Sequence, residues 1–212
     1  MPLTDQNILA ECQYHLVEPV DNGATWPSGL WTAVEVSRAL NGRQQRFLQA
    51  TGVVLSRTTL PTIPNTHHFD LPEDWLVTRR LAWQGPDGSY REIPPADGWS
   101  ADHAERTWLH ETARRPRIYM ETDPPTLRVR LAPASYDNGI LHVLYVASPA
   151  TLGTSGVAFT APDEVVAPIK YGVLADLLLK RGPAFDPDRA AYCEARFSEG
   201  VEAALALLRG WS

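Results

Sequence analysis

The sequence predicts an α+β protein: a helical bundle built from the N-terminal and C-terminal helices, with an antiparallel β-sheet region inserted between them. Three observations carry that prediction. Apolar residues recur at helical spacing up to Thr51 and again from Asp163 onward. The runs between are short, rich in β-branched and aromatic residues, and several alternate with period two. Turn formers separate them, at Pro61 and Pro64, 85–89, 122–125 and 136–139. With 212 residues, 44% of them hydrophobic, the chain has enough apolar material for one sizeable core. A single domain over 1–212 is expected, with a helical base at 4–52 and 162–210 and a β-rich insertion at 53–150.

Thr4 is placed to cap a short first helix with Ile8, Leu9, Cys12 and Leu16 on one face. After the breaker at 18–29, with Ser28 as the next cap, a long helix is predicted from Leu30 to Thr51. Leu30, Val34, Ser37, Asn41, Gln44 and Leu48 would line its stripe, with Leu40 and Phe47 beside them. Asn41 and Gln44 on that stripe predict hydrogen bonding in its middle, and Gly52 predicts its end. Strands follow around VVLSRTTL, WLVTRRLAW, SYREI, RIYME, TLRVRL and ILHVLYVA. Asp137-Asn138-Gly139 predicts a hairpin joining the last two. A helical turn capped by Ser100 is predicted ahead of Trp108. The helical period then returns through Val165, Val166, Ile169, Val173, Leu174, Leu177 and Leu178, stopping at Gly182-Pro183. Asp186 and Pro187 have the N-cap and first-position chemistry of a final helix. In it Ala190, Cys193, Phe197, Val201, Ala204 and Leu208 share a face, so the last two helices form an antiparallel pair.

Composition excludes several functional classes. The net charge is −6, spread evenly, and no basic arm marks a duplex-DNA reader. The cations are 17 Arg and only Lys170 and Lys180. Arg suits bidentate contacts, although a GC-rich genome produces the same bias. Cys12 and Cys193 lie far apart without zinc spacing. The N-terminal stretch reads as neither signal peptide nor anchor, and the longest apolar run, GVLADLLL, is too short to span a bilayer.

His67, His68 and Asp70 have the side chains a zinc or iron centre uses. In an extended segment His68 and Asp70 point one way and His67 the other, which leaves an ion short of ligands. The bland reading fits better: Phe69 and Leu71 alternate with them, Pro72 ends the strand, and the stretch is a joint. A small metal-dependent enzyme using His67, His68 and Asp70 stands as the alternative. Cys193 lacks a local base and reads as a packed small hydrophobe. GTSG at 153–156 lacks the strand-to-helix context of a nucleophile elbow. Asp163 and Glu164 suit a helix N-terminus. The last helix carries Arg189, Glu194, Arg196, Glu199 and Glu202, which form either a solvated face with pairs such as Arg196–Glu199 or contacts across copies.

Four stretches, in order, carry a resemblance: LWTAVEVSRALNGRQQRFLQATG, HHFDLPEDWLVTRRLAW, LRVRLAP with NGILHVLYVASP, and IKYGVLADLLLKRGPAFDPDRAAYCEARFSEGV. Over roughly residues 4 to 209 the chain resembles the head–tail adaptor (connector) proteins of tailed bacteriophages, which include relatives of the podovirus tail tubular protein A. The resemblance implies a non-enzymatic virion protein without cofactor or metal, made in the host cytoplasm and built into the head–tail junction. It implies a homo-oligomeric ring, commonly a dodecamer, beneath the portal protein. The ring would extend the DNA channel with transient, non-specific contact to genomic DNA, and offer a platform to tail tube or nozzle proteins. No membrane is involved. A different tail-completion protein is the neighbouring alternative. Arg189, Glu194, Arg196, Glu199, Leu208, Arg209 and Trp211 are the candidate oligomer or partner contacts, with the chain end from Leu208 to Ser212 set towards the portal.

Overall fold

The computed structural model describes residues 2–104, 114–121 and 127–210, with the side chains of Asp102, Ala104, Arg209 and Gly210 left aside. Trp108, the turn at 122–125 and Trp211 lie outside the described residues. The elements run α1 (Asp5–His15), α2 (Ala33–Thr51), β1 (Leu55–Thr62), β2 (His68–Asp70), β3 (Trp75–Gln84), β4 (Tyr90–Ile93), α3 (Gly98–Ala104), β5 (Ile118–Glu121), β6 (Arg128–Ala132), β7 (Gly139–Ala147), α4 (Asp163–Val166), α5 (Ile169–Leu178) and α6 (Pro187–Gly210). Helices and antiparallel sheets coexist, so the class is α+β. The chain divides into two compact units, Met1–Val54 with Ser148–Ser212, and Leu55–Ala147.

In the helical unit, both ends of α2 follow from local chemistry. Thr32, rather than Ser28, is its N-cap: the Thr32 hydroxyl accepts from the Glu35 amide (3.3 Å), and Glu35 Oε2 accepts from the Thr32 amide (2.8 Å), a reciprocal capping box. Gly52 ends it at φ +63°, its amide bonded to Leu48 O at 2.8 Å. The buried stripe is Val36, Leu40, Arg43, Phe47 and Leu48, while Val34 is exposed, so the helix is rotated from the anticipated face. The reason is tertiary: α5 lies against α1, α2 and α6 at once. Its Ile169, Val173, Leu174, Leu177 and Leu178 are all buried, as are Gly172 and Ala175. A helix that buries seven of its ten residues, with only Lys170, Tyr171 and Asp176 partly exposed, belongs in the middle of a layered unit. Asp186 caps α6 through the Arg189 amide (3.0 Å), and Ala190, Cys193, Phe197 and Ala204 are its buried face.

Polar side chains fasten the long connections of this unit. Asn41 Nδ2 donates to Leu152 O (2.9 Å) and its Oδ1 accepts from the Leu152 amide (2.8 Å). Gln44 donates to Ala150 O (3.4 Å). The fully buried Asp5 carboxylate accepts from the amides of Gln6, Gly153 and Gly156 at 2.7, 2.9 and 2.9 Å. GTSG therefore wraps a buried carboxylate of its own chain. On the other side Gln13, also fully buried, binds Asp21, Gly23 and Thr25, closing the 18–29 segment. Each contact satisfies groups whose burial without a partner costs roughly 1–3 kcal/mol.

The second unit holds two antiparallel sheets, one of four strands in the order β1-β7-β3-β4 and one of three in the order β2-β6-β5. Phe69, Tyr119, Val129 and Leu131 from the smaller sheet meet Leu81, Trp83, Leu141, Val143 and Tyr145 from the larger in one buried cluster. The anticipated hairpin between the last two strands does not form. β6 pairs with β2 and β5, and β7 pairs with β1 and β3. Gly139 is required by packing rather than by a turn. A Cβ there would stand 2.5 Å from Gln84 O and 2.7 Å from Trp83 Nε1, and Gly139 itself is the β7 partner of Thr62. The turn at 85–89 does close a hairpin, β3 to β4, with the Gly85 amide on Ser89 O at 2.9 Å and Gly88 at φ +77°. The short α3 is capped by Asp97, whose carboxylate accepts from the Ser100 amide (2.6 Å), and not by Ser100.

Candidate functional site

At the meeting of α2, α5 and α6, a position inside an apolar stripe is filled by an arginine. Arg43 is 3% exposed, yet each of its three guanidinium nitrogens donates to a carboxylate. Nε donates to Asp176 Oδ2 (2.8 Å), Nη2 to Asp176 Oδ1 (2.5 Å) and Nη1 to Glu194 Oε1 (2.9 Å). The cation also lies 5.1 Å from the centre of the Phe197 ring. A bidentate fork and a second carboxylate are what a planar guanidinium accommodates best. Burial pulls the Arg43 pKa down, but Asp176 and Glu194 together leave it raised, so it stays cationic. Gly172 makes room for it, since a Cβ there would lie 2.7 Å from Arg43 Cδ.

This hub gives Glu194 a partner inside its own chain. The other anticipated contact residues divide as follows. Arg189 sends Nη2 to His15 O at the end of α1 (3.1 Å) and lies 3.8 Å from Asp186. Arg196 donates to Glu199 at 2.8 Å, the intrahelical pair the spacing predicts, and stands 5.9 Å from the Tyr192 ring centre. Leu208 is half-buried on α6. Arg209 falls within α6 but its side chain is not described, and Trp211 lies outside the described residues. Sequence reasoning missed Arg43. The signal was there: Val36, Leu40, Arg43 and Phe47 recur at helical spacing, and a cation on such a stripe calls for a buried carboxylate partner.

His67, His68 and Asp70 sit where a joint needs them. Phe69 points into the core, and His68 and Asp70 face outward from the three-residue β2. His67 Nδ1 lies 3.3 Å from Leu131 O, and Asp70 accepts from Arg128 Nε at 2.6 Å. His68 is paired in register with Arg130. Burial first, then Arg130, His67 and Arg128, push the His68 imidazole below its ordinary pKa. A carboxylate already salt-bridged and an imidazole flanked by two guanidiniums make a poor seat for a metal cation. Among the described residues no group of three or more His, Cys, Asp or Glu gathers to hold one.

Both thiols are buried. Burial, followed by the Glu11 charge, drives Cys12 up to about 12, and burial also raises Cys193. A nucleophilic cysteine needs the opposite environment. The described residues form surface grooves, three of which bear on the candidate site. One of ≈ 630 Å³ lies on the outer face of the four-stranded sheet, with Arg57, Arg80, Tyr90 and His142 around it. There Arg80 pairs with Glu92 (2.7 Å), and His142 Nε2 lies 2.9 Å from Gln84 Oε1. A second, of ≈ 360 Å³, runs along α2 beside Arg38, Gly42 and Arg46. The third, of ≈ 330 Å³, lies at the start of α6 beside Leu16, Trp31 and Phe185. All three are open to solvent rather than enclosed cavities.

No described helix is long and apolar enough to cross a membrane. No curated protein matches the chain significantly. The model of the SU10 adaptor protein family, by contrast, matches residues 8–211, nearly the whole length. With α+β architecture, internally satisfied polar ties and open charged surfaces in hand, that match assigns the chain: it belongs to the SU10 adaptor protein family, a family of phage head–tail adaptors.

Proposed function

We propose that this adaptor assembles as a homo-oligomeric ring beneath the portal protein of a filled head. It prolongs the DNA channel there and presents the platform to which tail tube or nozzle proteins attach. The observation that carries this reading is the family match over residues 8–211, which spans both compact units. The geometry supports it physically. In the helical unit the buried charge of Arg43 is neutralised inside the chain, so assembly does not depend on completing a half-built core. The outer faces of α2 and α6 remain open for neighbours. An overall charge of −6 suits a conduit through which a polyanion slides without sticking.

Imaging tests the reading directly. DNA-filled heads that carry a portal but no adaptor are incubated with the purified full chain and reconstructed. A ring of added density coaxial with the portal is expected, in register with the portal's symmetry. Density elsewhere, or none, overturns the proposal. The chain end is the proposed portal contact, so removing residues 208–212 should weaken attachment while the fold is retained.

A further inference from the structure

Three glycines interrupt the long helices of the helical unit, and glycine weakens a helix interior relative to alanine. Two are explained within the chain. A Cβ on Gly172 would press on Arg43 and Phe197, and one on Gly200 would collide with Pro168. Gly42 has no such reason: nothing lies within 4 Å of the position its Cβ would take. It stands near the middle of α2, exposed, on the face turned away from Leu40 and Phe47. Arg38 and Arg46 stand one turn before and one turn after it, all three along the groove beside α2. The acids of that groove are already engaged, Glu35 by Lys180 (2.9 Å) and Asp176 by Arg43. Arg38 and Arg46, by contrast, have no ion pair or hydrogen bond among the described residues. A helix that forgoes a side chain between two unpaired guanidiniums is shaped for close approach by another backbone carrying negative charge.

The same chain offers such a surface. On α6, the face opposite Ala190, Cys193, Phe197 and Ala204 carries Ala195, Glu199, Glu202 and Ala206, all exposed. Its small residues admit close packing, as small residues do at helix crossings. Glu202 has no ion-pair partner among the described residues, and Glu199 holds only the exposed Arg196. We propose that the α2 face of Arg38, Gly42 and Arg46 receives the Ala195–Ala206 face of α6 from a second copy of this chain. The two faces differ, so the contact is head-to-tail, and repetition of such a contact closes a ring when the rotation allows. The inference rests on the ring reading above and names the surfaces that reading leaves open.

Engineered cysteines test it on portal-bearing heads, with both native thiols buried and out of the way. The full chain bearing Gly42→Cys together with Ala206→Cys is bound to the heads, oxidised mildly and run without reductant. A ladder of covalent multimers is expected from the double variant and monomers from each single one. Dimers from Gly42→Cys alone would mean α2 meets α2, and would overturn the proposal. A second variant guards against a misplaced disulfide. Gly42→Leu fits open space, so it should keep or raise the Tm of the free subunit, by roughly 2–4 °C. It should nevertheless lower occupancy on the heads by about tenfold or more. Normal rings from Gly42→Leu, with no ladder from the double variant, sink the inference and leave the adaptor reading standing. Absence of any wild-type ring sinks both.

Discussion

Replacing Arg43 with leucine should destabilise the helical unit by about 2–3 kcal/mol. Removal of one member of a buried ion pair costs about 3–5 kcal/mol when the abandoned charge stays dry. Here the abandoned groups are carboxylates whose side chains are 37% and 49% exposed, so they rehydrate and the cost falls to the bottom of that range or just below it. Leucine keeps an apolar stem where Arg43 Cγ and Cδ pass Gly172, which limits any cavity. Truncating Asp176 to alanine is a different perturbation, because it leaves a guanidinium nine-tenths buried with Glu194 alone. Its cost should equal or exceed that of Arg43→Leu, and the double variant should fall well short of the sum. A coupling of about 1.5–3 kcal/mol is the expected signature of one shared network.

Urea unfolding followed by circular dichroism measures those energies, and a thermal scan adds a second reading. Unfolding entropy scales as about 2.1 cal/mol/K per residue. A loss of 2.5 kcal/mol therefore lowers Tm by about 10 °C if the helical unit of roughly 120 residues melts alone, and by about 6 °C if all 212 residues melt together. The size of the shift thus reports the cooperativity between the two units. An Arg43→Leu variant within about 0.5 kcal/mol of wild type, or strict additivity with Asp176→Ala, would refute the assignment of Arg43 as the tie between α2, α5 and α6.

Acid should weaken the helical unit over a defined window. Hydrogen bonds from Lys180 first, then Thr32, hold Glu35 at about 2, below its ordinary 4.5, and bonds from Thr25 and Gln13 hold Asp21 at about 2. Carboxylates depressed on folding stabilise above their unfolded pKa and lose that contribution as pH falls through the folded one. Tm should decline between about pH 4.5 and 2, less steeply in Glu35→Gln, and equal slopes would discount the Glu35 contacts. Val17→Gly should stabilise by about 0.5–1 kcal/mol, since a β-branched residue at φ +60°, 91% exposed, gives up strain and little burial; a lower Tm would contradict that. Both thiols should resist a fast alkylating reagent until the chain unfolds, and mass spectrometry showing rapid native labelling would refute their burial.

The parts of this fold that were legible in the sequence are those set by near neighbours. Asp186-Pro187, Gly52 and the turn at 85–89 each specify a terminus or turn with atoms a few residues apart, and each does so in the structure. Asn41 and Gln44 stand out because amides on an apolar stripe need partners: Leu152 serves both ends of Asn41, and Ala150 O serves the Gln44 amide nitrogen. Val34 was misplaced because a helix turns whichever stripe its neighbours cover, and α5 covers the side of Leu40 and Phe47. The β6–β7 hairpin failed for a related reason. A turn signal says that the chain reverses but not that the flanking strands pair, and Gly139 answers to a side chain on β3 some 56 positions earlier in sequence, Trp83.

Where charge is satisfied and where it is left open follows one pattern in the helical unit. Arg43, Lys170 and Lys180 each close on carboxylates of the same chain, Asp176 and Glu194, Glu11, and Glu35. These are the cations nearest the core, where an unpaired charge is most destabilising. Arg38 and Arg46 lie on the solvent side of the same helix as Arg43, and Glu202 on the solvent side of α6. A charge left unpaired in water costs little, so a free subunit tolerates these three without penalty. In the proposed ring the same charges would set register and orientation as two copies approach, because electrostatic complementarity contributes specificity more than raw affinity. The ring proposed above requires a subunit that folds before it meets its neighbours and then accepts them in one orientation. Pairing the inner cations within the chain while Arg38, Arg46 and Glu202 stay unpaired on the outer faces meets both requirements with the same two helices.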